Sequence, residues 1–258
     1  MAVGGRDFDT LIDEASRQPV DGWDFGWLDG RATEERPSWG YARLLAQRVA
    51  SSSAVLDLQT GGGEVLSEVL AAAARRPARV VATEGWPPNA ALARARLAPL
   101  GIDVMEVADS AELPCESTSF DLVTSRHPSA TRWVEIARVL RPGGSYFAQH
   151  VGAGSNHALS EFFLGPQPVG QARTLANTVA QAEAVGLAVV DVREESLRVE
   201  FFDVGAVVYF LRKVVWTVPG FRATDALDRL RALHELIGRE GRFVSQSSRI
   251  LIEARRPQ

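Results

Sequence analysis

A short apolar run, Ala54–Leu58 (AVLDL), passes directly into Gln59-Thr60-Gly61-Gly62-Gly63 and then into an Ala- and Leu-rich stretch, Glu64–Arg76. This succession of strand, glycine turn and helix constrains the chain more than any other feature. Glycines permit positive φ and let a ligand approach the backbone closely. They place that ligand at the N-terminus of the following helix, beside the point where strand order reverses in a doubly wound sheet. A glycine-rich turn alone is a weak signal, so its meaning depends on the rest of the chain.

Downstream of the turn, strands and helices alternate. Ala78–Thr83 (ARVVAT) reads as a second buried strand, after Pro77 stops the helix. Pro87-Pro88 opens a helix running to about Leu100, and Gly101 ends it. Ile102–Val107 and Phe120–Ser125 read as strands, Ser129–Leu140 as a helix, and Arg141-Pro142-Gly143-Gly144 as a turn on the side away from the site. Ser145–Val151 is a fifth strand, Gln171–Val185 a helix, Leu187–Val192 a sixth strand, and Phe243–Arg255 a final strand or hairpin arm. The expected fold is α/β: a Rossmann-like doubly wound sheet of about seven strands, mostly parallel with an antiparallel last strand, and helices on both faces. Residues 1–50 are expected to form a helical N-terminal cap, and 51–258 the main domain. A helical insertion at 196–241 would supply a lid, with an apolar helix at Asp203–Lys213 and an amphipathic one at Thr224–Arg239.

The formal net charge of -4 argues against a protein that lives on nucleic acid, which needs a clustered basic surface. The single cysteine, Cys115, excludes a disulfide within the chain and a cysteine-based zinc site, and no metal is expected. No apolar run reaches membrane-spanning length, and the acidic start MAVGGRDFDTLIDEA lacks the regions of a signal peptide, so a cytoplasmic protein is expected.

Glu84 ends the second strand, 21 positions after Gly63, a spacing that suits a carboxylate accepting both hydroxyls of a ribose. Asp109, just after the third strand, is placed to accept from an adenine amino group, and Trp86 either covers the adenine face or staples a helix. Asp57 either contacts the ligand or orients the glycine loop. Gln59 occupies the first glycine position of a dinucleotide fingerprint and fits a dinucleotide badly.

Four segments, VLDLQTGGGE, ATEGWPPNA, VADSAELPCESTSFDLVTSRH and EIARVLRPGGSYFAQH, together resemble the class I S-adenosylmethionine-dependent methyltransferase family. They are especially similar to the group sharing the LPxxxxSFDxV and ARVLxPGG signatures. The resemblance implies S-adenosylmethionine as cofactor and S-adenosylhomocysteine as product. It places Asp57 at the cofactor's amino-acid part, Gly61 and Gly63 at the second and third glycines of the loop and Glu84 at the ribose, with Gln59 and Thr60 among the cofactor-binding residues. Asp109 and Ser110 fall at the adenine edge and Ser125 and Arg126 in the segment that lines the methyl pocket, and Gly85 and Trp86 complete the cofactor-binding set. The departure is Gln59, where the family usually has glycine; its side chain must turn away from the cofactor or binding weakens.

Methyl transfer requires alignment, dryness and sometimes a base. His127 and His150, at the carboxyl ends of the fourth and fifth strands, are the candidate bases. Trp23, Phe25, Trp27 and Tyr209 are candidate acceptor-binding residues, against the alternative that they are packing residues. A small-molecule acceptor is expected, and no membrane partner. RNA is the disfavoured alternative: AQHVGAGSNHALSEFF is similar to bacterial ribosomal RNA (guanine-N1) methyltransferases, but their N-terminal cysteine zinc module has no counterpart here. A third alternative is a member of the fold that binds the cofactor without methylating.

Overall fold

The computed structural model describes residues 7–109 and 111–258. In chain order its elements are α1 (Phe8–Arg17), β1 (Ala32–Glu34), α2 (Tyr41–Ser51), β2 (Ala54–Leu58), α3 (Glu64–Ala72) and β3 (Arg79–Glu84). Then come α4 (Pro87–Leu97), β4 (Asp103–Glu106), β5 (Phe120–Arg126), α5 (Trp133–Val139), β6 (Leu140–Val151) and α6 (His157–Leu164). The chain finishes with α7 (Leu175–Ala184), β7 (Ala188–Phe201), α8 (Val204–Lys213), α9 (Leu227–Glu240) and β8 (Phe243–Arg255). The strands form an eight-stranded sheet in the order β1-β7-β8-β6-β5-β2-β3-β4. The residues divide into a larger compact unit (37–153, 171–195 and 249–258) and a smaller one (up to Arg36, 154–170 and 196–248).

In the larger unit β4, β3, β2, β5 and β6 run parallel, and the C-terminal part of β8 lies antiparallel to β6. Strand order reverses at β2, which has β3 on one side and β5 on the other. The period-2 alternation of a strand divides the side chains between two cores. Val55, Leu122, Phe147 and Leu251 face one way and pack with α2, α3 and α4 residues such as Leu45, Leu66 and Leu97. Leu56, Val123, Tyr146 and Ile252 face the other and pack with Trp133 and Ile136 of α5 and Ala182 of α7. The strands are therefore apolar on both faces, as a doubly covered sheet requires. Truncating a fully buried residue such as Leu56 to Ala would cost ~2–5 kcal/mol.

In the smaller unit the apolar α8 is the centre. Val204, Val207, Val208 and Leu211 are fully buried and pack with Leu11 and Ala15 of α1. Asp203 caps α8 by accepting the Ala206 N–H at 2.8 Å, and its carboxylate is also held by Arg31 through two 2.8 Å hydrogen bonds. β1 pairs antiparallel with the last residues of β7, Ala32 opposite Phe201.

Several local expectations are corrected. The sheet has eight strands, because Ala32–Glu34 adds a short edge strand in a region expected to be helix and loop. The residues Arg141–Gly144 are not a free turn: they lie inside β6, where the register against β5 shifts between Phe120 and Leu122 and Gly143 takes φ +76°. The helix expected from Ser129 begins only at Trp133. The strand expected to end at Val192 continues to Phe201, and α6 lies between the fifth strand and the helix expected at Gln171–Val185, where the sequence marks no element.

Candidate functional site

The site forms at the carboxyl ends of β2, β3 and β5, where the strand order reverses and a doubly wound sheet leaves a crevice. The glycine loop is held from β3: Thr83 accepts the Thr60 N–H on its carbonyl at 2.9 Å and the Gln59 N–H on its hydroxyl at 3.3 Å. Gly61 and Gly63 take φ of +64° and +77°, and a Cβ on Gly63 would lie 3.0 Å from Leu97 Cγ. Glycine at 63 thus satisfies both the backbone and the seam between α3 and α4. Gly85 is equally tight, since an added Cβ would meet the Val107 carbonyl at 2.9 Å.

Two buried carboxylates form the floor. Glu84 accepts the Gly61 N–H at 2.8 Å on one oxygen and the Trp86 N–H at 3.0 Å on the other. Each oxygen keeps a further lone pair. Burial raises the Glu84 carboxyl above its ordinary range, against the pull of those N–H groups. Asp57 is 8% exposed; burial is the main cause that pushes its carboxyl up to about 7, and the Glu84 charge adds to it, against the pull of the Thr60 hydroxyl. That hydroxyl oxygen is buried and close enough for Asp57 to feel it, yet it makes no hydrogen bond of ordinary geometry among the described residues. Buried carboxylates with spare acceptor sites, an uncommitted hydroxyl and a loop only glycine can build fit a small ligand with hydroxyl and amino donors, as the cofactor of the resembled family has.

The rim is polar and exposed. The Gln59 side chain does turn from the glycine loop: its Nε2 donates to the Ala130 carbonyl at 2.7 Å, and its Oε1 accepts the Ser129 N–H at 2.6 Å. The Ser129 hydroxyl also reaches Gln59 Oε1 (2.9 Å) and the Asp109 carboxylate. Trp86 is 42% exposed. Beside the rim lies a cleft of about 380 Å³, counting its open margin, walled by Gln59, Thr83, Val107, Asp109, Thr131 and Arg132; Asp57 and Glu84 are not among its walls. One Arg132 guanidinium nitrogen (Nη1) is buried with no hydrogen bond among the described residues. Ser110 lies outside the described residues.

The two candidate histidines sit in separate buried networks. Gln149 accepts Trp39 Nε1–H on its amide oxygen at 2.8 Å, which leaves its amide nitrogen to donate to His127 Nε2 at 2.8 Å. His127 therefore carries its proton on Nδ1 when neutral. It also takes φ +55°, uncommon outside glycine. Burial, with Arg249 and Arg126 nearby, depresses its pKa well below the usual imidazole value. His150 Nε2 meets the Tyr146 hydroxyl at 2.9 Å, and Tyr146 meets the Ser125 hydroxyl at 2.7 Å. Burial, then the Arg173 charge, lowers His150 to about 4. Tyr41 completes the polar layer, bonding Thr124 Oγ1 at 2.8 Å and the Ser125 carbonyl at 3.0 Å. Arg126 closes β5 with an exposed side chain.

Trp23, Phe25, Trp27 and Tyr209 all belong to the smaller unit, where they form two ring pairs with the Lys213 ammonium between Phe25 (5.2 Å) and Tyr209 (5.5 Å). Trp23 stacks near Phe25 (6.2 Å) and tilts on Trp216 (5.8 Å), while Trp27 tilts on Tyr209 (4.9 Å). The Tyr209 hydroxyl donates to the Asp24 carbonyl at 3.2 Å, and Arg31 lies 3.7 Å over the Trp27 ring. Trp23 is 39% exposed and Tyr209 only 4%. Among the described residues no group of three or more His, Cys, Asp or Glu is arranged to hold a metal, and no helix is long and apolar enough to cross a membrane.

Ser129, Arg132, Tyr41, Gln149 and Tyr146 were not singled out by sequence. Their roles depend on partners far along the chain, such as Gln59 and Ser129, 70 residues apart.

Residues 56–148 match a family model described as a methyltransferase domain. No curated protein matches the sequence. Among solved structures, the YcgJ protein of Bacillus subtilis is similar at 19% identity and TM-score 0.59, over 84% of this chain and 98% of that one. The 4+2 cyclase SpnF is similar at 18% identity and TM-score 0.51, over 96% of this chain and 93% of its own. Phosphoethanolamine N-methyltransferase 2 of Haemonchus contortus, solved with phosphomonomethylethanolamine and S-adenosylhomocysteine, is similar at 18% identity and TM-score 0.51, over 85% of this chain and 53% of its own. The glycine loop and the strand-end acid Glu84 both fall within the segment, residues 56–148, that matches the methyltransferase-domain model, and the solved structures share the fold.

Proposed function

We propose that this chain methylates a small-molecule acceptor by in-line displacement from S-adenosylmethionine. The observation that carries the reading is the pair of buried carboxylates, Asp57 and Glu84, at the switch point, with Glu84 bonded to Gly61 and the uncommitted Thr60 hydroxyl beside them. Asp57, Thr60, Gly61 and Gly63 would hold the amino-acid end of the cofactor, and Glu84 its ribose. Gly85, Trp86, Asp109 and Ser110 would flank its adenine. Ser125 and Arg126 would border the methyl pocket. When bound, the cofactor supplies an electrophilic methyl group on a sulfonium.

The chain's own contribution is alignment and exclusion of water. His127 and His150 are neutral at pH 7 and each has Nε2 in a hydrogen bond, so either would serve as a weak base at most. This favours an acceptor atom that is already nucleophilic, such as an amine, over one that needs strong deprotonation. Trp23, whose ring is partly exposed, is the aromatic best able to stack on a planar acceptor; Phe25, Trp27 and Tyr209 would support it. The net charge of -4 keeps RNA the weaker choice.

A second reading, cofactor binding without methyl transfer, draws on the fold similarity to a cyclase along nearly the whole chain. The experiment that separates the two is a turnover assay with S-adenosylmethionine and a panel of planar amines and phenols, reading S-adenosylhomocysteine. Product that appears only with an acceptor supports methyl transfer. Binding of cofactor with no product from any acceptor supports the second reading.

A further inference from the structure

The segment His127–Arg132, between β5 and α5, walls the cleft with Pro128, Ala130, Thr131 and Arg132, yet it contains no helix or strand of its own. His127 at its start is held by the Gln149 carbonyl at 2.7 Å, and its middle is fastened through Ser129 and Ala130. The Ser129 N–H donates to Gln59 Oε1 at 2.6 Å, and its hydroxyl lies against both Gln59 Oε1 and the Asp109 carboxylate. The Ser129 carbonyl accepts from Arg173 Nη2 at 3.2 Å. The next carbonyl, Ala130, accepts Gln59 Nε2 at 2.7 Å. One primary amide from the glycine loop thus pairs with a donor and an acceptor of this segment at once, as a neighbouring strand would.

We propose that Gln59, Ser129 and Asp109 form a latch that closes the cofactor cleft and must open before S-adenosylmethionine enters. The proposal rests on the reading of this cleft as the cofactor site. A serine hydroxyl has one hydrogen, so it can donate to the carboxylate or to Gln59, not to both. The charged acceptor is the stronger, and the Ser129 hydroxyl therefore occupies Asp109, the residue read as the acceptor for the adenine amino group. Ligand and latch meet at the same carboxylate, whose Oδ2 the latch holds.

The latch is built to open. Its bonds lie on the exposed side, where water replaces each donor and acceptor. The segment starts at His127, whose φ of +55° is a conformation that stores strain, and Gln59 on the opposite side takes φ +54°. The apparent affinity of a ligand falls by the fraction of molecules that are competent to bind it, so loosening the latch speeds entry.

The test is stopped-flow association of S-adenosylhomocysteine with the full chain, following tryptophan fluorescence. Gln59→Asn keeps a residue tolerant of positive φ but is one methylene too short to reach Ser129 and Ala130. Ser129→Ala removes the hydroxyl. Both variants are expected to associate about tenfold faster than the parent while dissociation changes less. Unchanged or slower association in both folded variants overturns the latch. Glu84→Ala separates this result from failure of the cofactor reading. If Glu84→Ala weakens binding while the latch variants leave association unchanged, the cofactor site stands and the latch falls. If the parent and every variant fail to bind S-adenosylhomocysteine, both fall together.

Discussion

The floor and the rim of the site are built on opposite principles. At the floor, Asp57 and Glu84 are buried, and Glu84 is braced by two backbone N–H groups. There an unpaired charge is costly and every partner counts. At the rim, Gln59, Ser129 and Asp109 meet in water, where each bond is worth ~0.5–1.5 kcal/mol net and is readily exchanged. The floor is therefore suited to hold a ligand and the rim to regulate its entry. Substitutions should separate the two regions cleanly.

The largest effect is expected at the floor. Glu84→Ala removes the acceptor of the Gly61 N–H and of the proposed ribose, and should weaken S-adenosylhomocysteine binding at least about tenfold, or ~1.4 kcal/mol, by calorimetry. Gly63→Ala comes next. It forces a side chain to φ +77° and puts a Cβ 3.0 Å from Leu97, so thermal unfolding should lose ~1 kcal/mol, a drop of about 2–4 °C in Tm. A destabilisation near zero would mean that α3 and α4 adjust freely at this seam.

The third effect depends on pH. The Asp57 carboxyl, raised from 3.8 to about 7 in the folded chain, keeps a proton that the unfolded chain gives up. Its contribution to stability is therefore full below about pH 4 and is lost as the pH rises to 7. Glu135 behaves in the opposite sense: its hydrogen bonds with Arg138 hold it down to about 2, so its contribution is present above pH 4.5 and lost as the pH falls towards 2. Urea titrations from pH 4 to 7 should show a falling limb that Asp57→Asn flattens; an unchanged limb in that variant would locate the titrating group elsewhere. The smallest effect belongs to the rim, where Ser129→Ala should shift equilibrium stability by less than ~0.5 kcal/mol. A larger loss would show that the rim is part of the folded core.

The same contrast explains which features are legible in the sequence. The floor is written locally. Asp57, the glycines and Glu84 lie in or beside apolar runs whose period and punctuation identify strand ends, and the glycines mark the one backbone that fits there. The rim is written at long range. Gln59 reads as a defect in the glycine loop because its partners, Ser129 and Ala130, follow a different strand. Those partners also explain why the helix expected from Ser129 starts four residues late: the Ser129 N–H and hydroxyl are spent on Gln59 and Asp109 instead of a helix cap. Gly143-Gly144 signals a turn by composition, but pairing of β6 with β5 carries the strand through it, with the irregularity absorbed at Gly143. The three-residue β1 has no periodicity to detect and exists only because the end of β7 lies beside it. Among the aromatic residues of the smaller unit, composition does not separate packing from exposure: Tyr209 is buried and Trp23 is open.

The central claim is that the two buried carboxylates and the glycine loop hold S-adenosylmethionine. Calorimetric titration of the full chain with S-adenosylmethionine and with S-adenosylhomocysteine tests it most directly. The account predicts micromolar binding of both, one per chain, and loss of both in Glu84→Ala. Absence of binding by the folded parent protein, or equal affinity in Glu84→Ala, would contradict it.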